Sequence, residues 1–193
     1  MTRLLVTGFG PFPGAPENPT ELLVRALAKE PAEAFGASAL KGVVLRTEYR
    51  RSWATLRRLY LSFSPDLVVH FGLNGKTHAL HLECVARNTV DPGKPDASGY
   101  APRSARLVKG GPDTLASVFP ANAIAAALEK AGFSVALSED AGGYVCNAIL
   151  YRSLHAAPPK RRVGFVHVPP PSALAQEQLL AAARIILAGT VRG

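Results

Sequence analysis

Residues 133–155 have the sequence FSVALSEDAGGYVCNAILYRSLH, which predicts a strand, a tight turn and a helix in immediate succession. The strand is the apolar run Phe133–Leu137, and apolar residues recur with helical spacing after Cys146. Gly142 and Gly143 allow the backbone conformations that a tight turn between the two elements requires. Because strands followed directly by helices build α/β proteins, this stretch indicates the fold class.

The same alternation of strands and helices continues along the chain. We expect strands at 3–7, 42–47, 66–71, 80–86, 133–137 and 163–169, and helices at 19–29, 52–61, 121–130, 146–154 and 176–187. No linker or internal repeat divides residues 1–193, so we predict one α/β domain, a three-layer α/β/α sandwich. Its twisted central sheet should be mixed, because residues 71–80 are too few for the helical crossover of a parallel pair.

Residues 88–119 show little apolar periodicity and contain the turn-forming run Asp91-Pro-Gly-Lys-Pro95. A connection of that length inside a compact domain is usually functional or mobile. We therefore expect this segment to form a long loop with a role of its own.

Cys146 falls in the first turn of the helix that follows the glycine turn. The positive end of the helix dipole favours a thiolate there, and unpaired backbone N–H groups point towards whatever the sulfur attacks. This arrangement suits a nucleophile with the beginnings of an oxyanion hole. The alternative is that Cys146 is a small buried apolar residue, as free cysteines often are.

A cysteine nucleophile needs a base, and the chain offers two main candidates among its histidines. His167 lies near the end of the apolar strand 163–169, just before a run of three prolines, where it can project into a cleft at the sheet edge. His70 ends another predicted strand and competes for the role. Either residue could instead be a core histidine with its hydrogen bonds satisfied.

Glu83 is the candidate acid that would orient the histidine. The segment 80–87 alternates, with His81, Glu83, Val85 and Arg87 on one face and four apolar or small residues on the other. A carboxylate between apolar neighbours is costly to bury unless it is paired. The alternative is a solvated carboxylate on an edge strand.

Composition restricts the class of protein. The net charge of +8 comes from scattered basic residues without interleaved aromatic residues, so we expect no nucleic-acid binding and keep it only as an alternative. No apolar run approaches the roughly 20 residues that span a bilayer, which predicts no membrane association. Two cysteines and an N-terminus without signal-peptide features predict a cytoplasmic protein.

The N-terminal loop Gly8–Gly14 has glycines but not the spacing of a phosphate-binding loop. Pro11 and Pro13 also remove backbone donors that a phosphate cradle needs. What remains is a stiff loop that carries Phe9 and Phe12, two aromatic residues that could form a flat, dry slot for a small ring. The alternative is that both phenylalanines belong to the core.

Four segments resemble, in the same order along the chain, the motifs of pyroglutamyl peptidase I (pyrrolidone-carboxylate peptidase). They are GFGPFPG at 8–14 with Asn18 and Pro19, ECVARN at 83–88, AGGYVCN at 141–147 and GFVHVP at 164–169. The resemblance covers essentially the whole chain, and the cysteine motif is its most specific part.

The resemblance implies a single hydrolytic α/β domain with the catalytic triad Glu83, Cys146 and His167. It implies a cysteine exopeptidase that removes N-terminal pyroglutamate from small peptides, with no metal and no cofactor. Members of the family often form homo-oligomers, so a dimer or tetramer is expected. The resemblance also implies a set of substrate-pocket residues: Phe9, Phe12, Asn18, Thr47, Leu73, Tyr144 and Val145.

The chain departs from the family at two positions near the expected pocket. Leu73 stands where many bacterial members have glutamine, and Gly93, followed by Lys94, stands where many have arginine. A divergent relative that acts on another small N-capped amide therefore remains an alternative, as does a silent binding protein that keeps the pocket. A metallohydrolase that uses His78, His81 and Glu83 is a weaker alternative, since no second ligand cluster has metal spacing.

Overall fold

The structure is a computed structural model, and it describes residues 1–192. The strands are β1 Arg3–Phe9, β2 Ala39–Leu45, β3 Leu67–Leu73, β4 Leu80–Glu83, β5 Val85–Arg87, β6 Thr114–Ala116, β7 Val135–Ser138 and β8 Arg162–Val168. The helices are α1 Pro19–Leu27, α2 Tyr49–Ser62, α3 Ala121–Lys130, α4 Val145–His155 and α5 Gln176–Arg192, with a short 3₁₀ helix at Ala32–Phe35. Among these residues no helix is both long and apolar enough to cross a membrane.

The central sheet has six strands in the order β2-β1-β3-β8-β4-β7. Strands β1, β2, β3 and β8 pair in parallel, whereas β4 pairs antiparallel with β8 and parallel with β7. The sheet is therefore mixed, as the short connection between β3 and β4 predicts. That connection needs no helical crossover, because β4 runs back along β8 instead of pairing with β3 in parallel.

Helices cover both faces of the sheet, which confirms the predicted three-layer α/β/α sandwich. Alternate residues of each strand face opposite layers. In β1, Leu4 and Val6 pack in the cluster that includes α1, α3 and α5. Leu5 and Phe9 pack in the other cluster, with α2 and α4. Every second position of the central strands therefore faces α4, the helix that carries Cys146.

The predicted strand 80–86 is two strands in the structure. It is interrupted at Cys84, whose N–H donates to the Ser138 carbonyl while its own carbonyl accepts from Ser117. Beyond the interruption the alternation changes, so Ala86 is fully buried in the cluster with α2 and α4 rather than beside Leu82. The prediction that Ala86 shares a face with Leu82 was therefore wrong.

Residues 88–119 are less irregular than expected. They contain β6, which pairs antiparallel with β5, and a bridge joins Thr89 to Arg106. The buried Asn88 side chain accepts from the Val108 N–H and donates to the Val108 and Gly111 carbonyls. The segment is thus folded onto the domain by hydrogen bonds and supports the region around Cys146.

Gly8 provides a test of how closely α1 approaches β1. A Cβ built at Gly8 would overlap the Thr20 carbonyl and lie 2.9 Å from Val24 Cγ2. We therefore predict that Gly8→Ala lowers the free energy of unfolding by about 1–3 kcal/mol, the usual cost of overpacking. Urea denaturation followed by circular dichroism measures this change.

The matched control is Gly75→Ala, because Gly75 is exposed and an added Cβ there meets no atom within 4 Å. Equal stability of the two variants would contradict the close approach of α1 to β1.

Candidate active site

Cys146 is the second residue of α4, directly after the turn that follows β7. Gly142 has φ of 78°, the left-handed conformation that favours glycine. Its N–H donates to Asp140 Oδ1 at 3.0 Å, and this bond closes the turn. The N–H groups of the first turn of α4 have no acceptor within the helix, so they are available beside the sulfur.

His167 and Glu83 form a buried hydrogen-bonded pair. They come from β8 and β4, which run antiparallel, and His81 is the register partner of His167. His167 Nδ1 lies 2.7 Å from Glu83 Oε1, with only 6% of the histidine and 1% of the glutamate exposed. Because Nδ1 is occupied by the carboxylate, the carboxylate fixes the orientation of the ring and leaves Nε2 for another partner.

The other partner of the imidazole is Cys146. Burial alone would lower the pKa of His167, but the adjacent Cys146 sulfur and the Glu83 carboxylate outweigh burial and raise that pKa to about 9. Such an environment favours the imidazolium form of His167 beside Cys146. Because the pKa lies above the ordinary 6.5, this pair stabilises the fold below about pH 6.5, and its contribution is lost as pH rises through about 9.

Gly72 makes room for the sulfur. It is the register partner of His167 in the parallel pair of β3 and β8. A Cβ added there would lie 3.0 Å from Cys146 Sγ and closer still to the Phe165 ring. Any side chain at position 72 would therefore push Cys146 away from the imidazole.

His70 does not take part in this arrangement. It is fully buried two residues deeper in the sheet than the Gly72–His167 pair, opposite Phe165. Its Nδ1 lies 2.7 Å from Thr7 Oγ1 and its Nε2 lies 3.1 Å from Ser153 Oγ. Burial lowers the pKa of His70 to about 3, so this residue is a neutral core histidine with both nitrogens satisfied.

The residues considered for a metal site do not converge. His81 Nε2 shares a hydrogen bond with Thr77 Oγ1 at 2.8 Å, and Glu83 is engaged with His167. Within residues 1–192, no three histidine, cysteine or acidic side chains are grouped to hold a metal ion. The geometry of these groups therefore does not favour a metallohydrolase.

Cys84 is separate from the site. It packs against the layer of α1, α3 and α5, on the other side of the sheet from Cys146, and both thiols are free. Burial raises the pKa of the Cys84 thiol. The two cysteines therefore have different environments, as their opposite faces predict.

A cleft of about 530 Å³ opens at Cys146 and His167. Three of the seven residues expected in the substrate pocket line it: Phe12, Leu73 and Tyr144. The rest of its wall is the turn before α4, the end of the N-terminal loop and the segment after β3. The carboxylate Asp140 and two lysines, Lys76 and Lys94, are the charged residues in the lining.

The other four expected pocket residues lie outside the cleft lining. Phe9 is 2% exposed and packs 6.4 Å from the Phe165 ring, and Val145 is fully buried. Asn18 Nδ2 and Thr47 Oγ1 both donate to the Gly10 carbonyl, at 3.2 and 3.0 Å. Phe9 and Val145 are therefore core residues behind the cleft, whereas Asn18 and Thr47 hold the loop that presents Phe12.

Asn18 also caps α1. Its Oδ1 accepts from the Thr20 N–H at 3.1 Å, and Pro19 occupies the first helical position. This is the N-cap arrangement that the Asn-Pro pair predicts. Both Oδ1 and Nδ2 of Asn18 are thus engaged within the protein, which accounts for the absence of this side chain from the cleft.

Asn147 directly follows Cys146 in the motif AGGYVCN, and in the structure it is a positioning residue. It is fully buried, accepts from the Arg87 N–H at 2.9 Å, and donates to the carbonyls of Arg87 and Thr89 at 2.9 and 2.7 Å. These bonds join the first turn of α4 to the chain that follows Glu83. The signal in the sequence was an amide next to Cys146 on a helix that is otherwise apolar at its start.

Lys94 is a second residue that the motifs did not single out. Its Nζ lies 4.5 Å from the centre of the Tyr144 ring, a cation–π geometry at the edge of the cleft. The Tyr144 hydroxyl donates to the Pro95 carbonyl at 3.2 Å and holds the ring against the same loop. A cation therefore remains beside the cleft although position 93 is glycine.

The fold and the site together define the class of α/β cysteine peptidases. A model of the pyroglutamyl peptidase family matches residues 2–191. The chain is 38% identical to the pyrrolidone-carboxylate peptidase of Thermococcus onnurineus over 86% of this chain and 83% of that protein. It is 34% identical to the one from Streptococcus pyogenes over 86% of this chain and 77% of that protein.

Solved structures agree with the sequence relatives. The pyrrolidone carboxyl peptidase of Thermus thermophilus superposes with a TM-score of 0.88 at 32% identity, over 96% of this chain and 99% of that chain. The one from Fervidobacterium islandicum gives a TM-score of 0.91 at 28% identity, over 100% and 99% of the two chains. The chain therefore belongs to the pyroglutamyl peptidase family.

The charge of Glu83 can be tested through the ring that it contacts. We predict that Glu83→Gln lowers the pKa of His167 from about 9, because the neutral amide removes an anion that stabilises the imidazolium. Titration of isotope-labelled histidine by NMR measures the shift directly. The matched control is Glu33→Gln, which removes the same charge from an exposed position on the 3₁₀ helix. An unchanged His167 titration in Glu83→Gln would contradict the pairing.

Proposed function

We propose that this protein is a cysteine exopeptidase that hydrolyses N-terminal pyroglutamate from peptides through a triad of Cys146, His167 and Glu83. The observation that carries the proposal is the buried Glu83–His167 hydrogen bond of 2.7 Å beside a cysteine at a helix N-terminus. Membership of the pyroglutamyl peptidase family supports the choice of substrate.

In the first step, the Cys146 sulfur attacks the carbonyl carbon of the pyroglutamyl group. The N–H groups at the start of α4 stabilise the oxyanion of the tetrahedral intermediate, an effect worth about 3 kcal/mol per donor. His167 then gives its proton to the amine of the next residue, the C–N bond breaks, and the shortened peptide leaves. Glu83 stabilises the imidazolium and keeps Nε2 directed at the reacting atoms.

In the second step, water hydrolyses the thioester. His167, now neutral, takes a proton from the water as the oxygen attacks the acyl carbon. The C–S bond breaks, free pyroglutamate leaves, and the thiolate–imidazolium pair is restored.

The charges in the cleft favour a blocked N-terminus. An ordinary aminopeptidase substrate carries an α-ammonium group, which a carboxylate would need to bind. Here Lys76 and Lys94 line the cleft, and the exposed Asp140 lies 3.9 Å from the Arg87 guanidinium. A neutral lactam avoids repulsion from the lysines. Phe12 and Tyr144 supply aromatic walls for the ring.

Leu73 would bind the lactam ring of the substrate through its main-chain groups. It ends β3 and lines the cleft, but its side chain cannot replace the glutamine found in many relatives. Backbone N–H and C=O groups can bind the lactam carbonyl and N–H whatever the side chain is. The apolar Leu73 also favours one second candidate, a relative that prefers another small N-capped amide.

A reducing, cytoplasmic compartment suits this mechanism, since Cys146 must remain a free thiol. The expected homo-oligomer rests on the family resemblance alone.

The central prediction is that Cys146→Ser lowers turnover of a pyroglutamyl-arylamide by more than about 10³-fold, because a serine hydroxyl is a far weaker nucleophile in a site built for a thiolate. Release of the arylamine, followed by absorbance, measures the rate. The matched control is Cys84→Ser, which removes the other thiol from the opposite side of the sheet and should keep its activity. Full activity of Cys146→Ser, or loss of wild-type activity on chelation, would overturn the triad.

A second prediction concerns the different roles of Phe9 and Phe12, the two phenylalanines of the segment 8–14. Phe12→Ala should lower kcat/KM about tenfold or more through the lost apolar wall, with little change in stability. Phe9→Ala should instead lower the free energy of unfolding by about 3–5 kcal/mol, because Phe9 is a core residue. Kinetics and chemical denaturation of both variants make the comparison. Similar kinetic losses with no difference in stability would show that both rings contact substrate.

A further inference from the structure

A second cavity of about 250 Å³ lies between α2, the last turn of α4 and the loop 90–107. It is separated from the catalytic cleft by a wall of tyrosines, in which Tyr49 packs edge-on against Tyr144 at 5.6 Å and against Tyr100 at 6.5 Å. Four arginines line this cavity and no acidic residue does. They are Arg50, Arg103, Arg106 and Arg152.

Arg152 is the most buried of the four. It lies near the C-terminus of α4 and also borders a neighbouring cavity beside Trp53. Among residues 1–192 its guanidinium forms no ion pair and donates no hydrogen bond to another side chain or to a carbonyl. Burial lowers the pKa of Arg152, and Tyr100 is the one group that opposes this shift. A cation has thus been partly removed from water without receiving a counter-charge.

Two more arginines are held in place. The Arg50 guanidinium lies 3.9 Å from the centre of the Tyr100 ring, a stacked cation–π contact. Arg106 donates to the Gly111 carbonyl at 2.6 Å and to Asp113 at 2.9 Å. These contacts fix the two side chains at the cavity, so a ligand would meet guanidinium groups that are already ordered.

The nearby carboxylates already have partners within the protein. Asp113 is bound to Arg106 and is itself largely exposed. Asp96 accepts from the N–H groups of Tyr49, Ser98 and Tyr100, which ties up both of its oxygens within the loop. Asp113 offsets the charge of Arg106, whereas Arg50, Arg103 and Arg152 form no ion pair among residues 1–192. An anion would therefore relieve both the repulsion between these arginines and the burial of Arg152.

We propose that this arginine cavity is a binding site for a phosphate group, either inorganic phosphate or the phosphate of a small ester. Arg152 forms its base, while Arg50, Arg103 and Arg106 form its rim. Guanidinium groups bind tetrahedral oxyanions through paired N–H donors, and several arginines match the charge and oxygen count of phosphate better than those of one carboxylate. The volume admits a phosphate with a small substituent. The site is independent of the peptidase activity.

The experiment is a calorimetric titration of the full-length protein at constant ionic strength with inorganic phosphate, phenyl phosphate and acetate as separate probes. We expect saturable binding of at least one phosphate probe, and weaker binding of acetate. Tighter binding of phenyl phosphate identifies a phosphate ester as the ligand class, and tighter binding of inorganic phosphate identifies the free ion. Equal binding of acetate, or no saturable binding of either phosphate probe, would overturn the proposal.

Variants test whether the binding occurs in this cavity. Arg152→Gln should weaken phosphate binding about tenfold or more, the usual effect of losing a charged hydrogen-bond partner. The matched control Arg58→Gln removes the same charge from an exposed position on α2 and should bind as the wild type does. Unchanged hydrolysis of a pyroglutamyl-arylamide shows that Arg152→Gln is folded. Should that variant not fold, Arg103→Gln on the exposed loop gives the same test, and wild-type affinity in both arginine variants would refute the site.

Discussion

The hydrogen bond between His167 and Glu83 is the interaction on which the site depends. Both side chains are almost completely removed from solvent, and a buried carboxylate without a partner would be strongly unfavourable. The antiparallel pairing of β4 with β8 brings them side by side, because it sets His81 opposite His167 and Glu83 just beyond. The antiparallel direction of β4 next to β8 therefore places Glu83 beside His167, since a parallel strand from the same connection could not have delivered Glu83 there.

The position of Cys146 beside the His167 imidazole depends on several separate parts of the chain. The glycine turn starts α4 at the sheet edge, and Asn147 ties its first turn to the backbone after Glu83. Gly72 leaves the space that the sulfur occupies. The segment 88–119, which carries little periodic pattern, holds this junction through the bond from the Asp91 N–H to the Gly143 carbonyl. A segment with little periodic pattern in its sequence thus supports this junction through a backbone hydrogen bond.

Positively charged side chains lie on both sides of one wall of tyrosines. On the cleft side, Lys94 stacks on Tyr144. On the other side, Arg50 stacks on Tyr100 and Arg152 lies partly buried. Tyr49 joins the two aromatic contacts, and burial raises its pKa, so its hydroxyl stays neutral between the cations. Scattered arginines in the sequence therefore become a local feature only after the chain has folded.

The local sequence pattern was sufficient to predict much of the secondary structure of this protein. Apolar periodicity and turn residues predicted the strand order along the chain, the bounds of α3, the start of α4 to within one residue of Val145 and the mixed sheet, because each depends on neighbours in sequence. The motifs selected the three residues that the structure brings together. Local pattern could not distinguish Phe9, which ends β1, from Phe12 in the loop that follows.

The surroundings of each side chain depended on partners distant in sequence. Only the tertiary structure decided those surroundings. Phe9 is core because β8 places Phe165 against it, while Asn18 and Thr47 converge on the Gly10 carbonyl from separate elements. Ala86 changed face because Ser138 and Ser117 pair with Cys84 and interrupt the strand. The physical reason is that sequence specifies backbone conformation residue by residue, whereas burial and hydrogen-bond partners are set by the packing of the whole sheet.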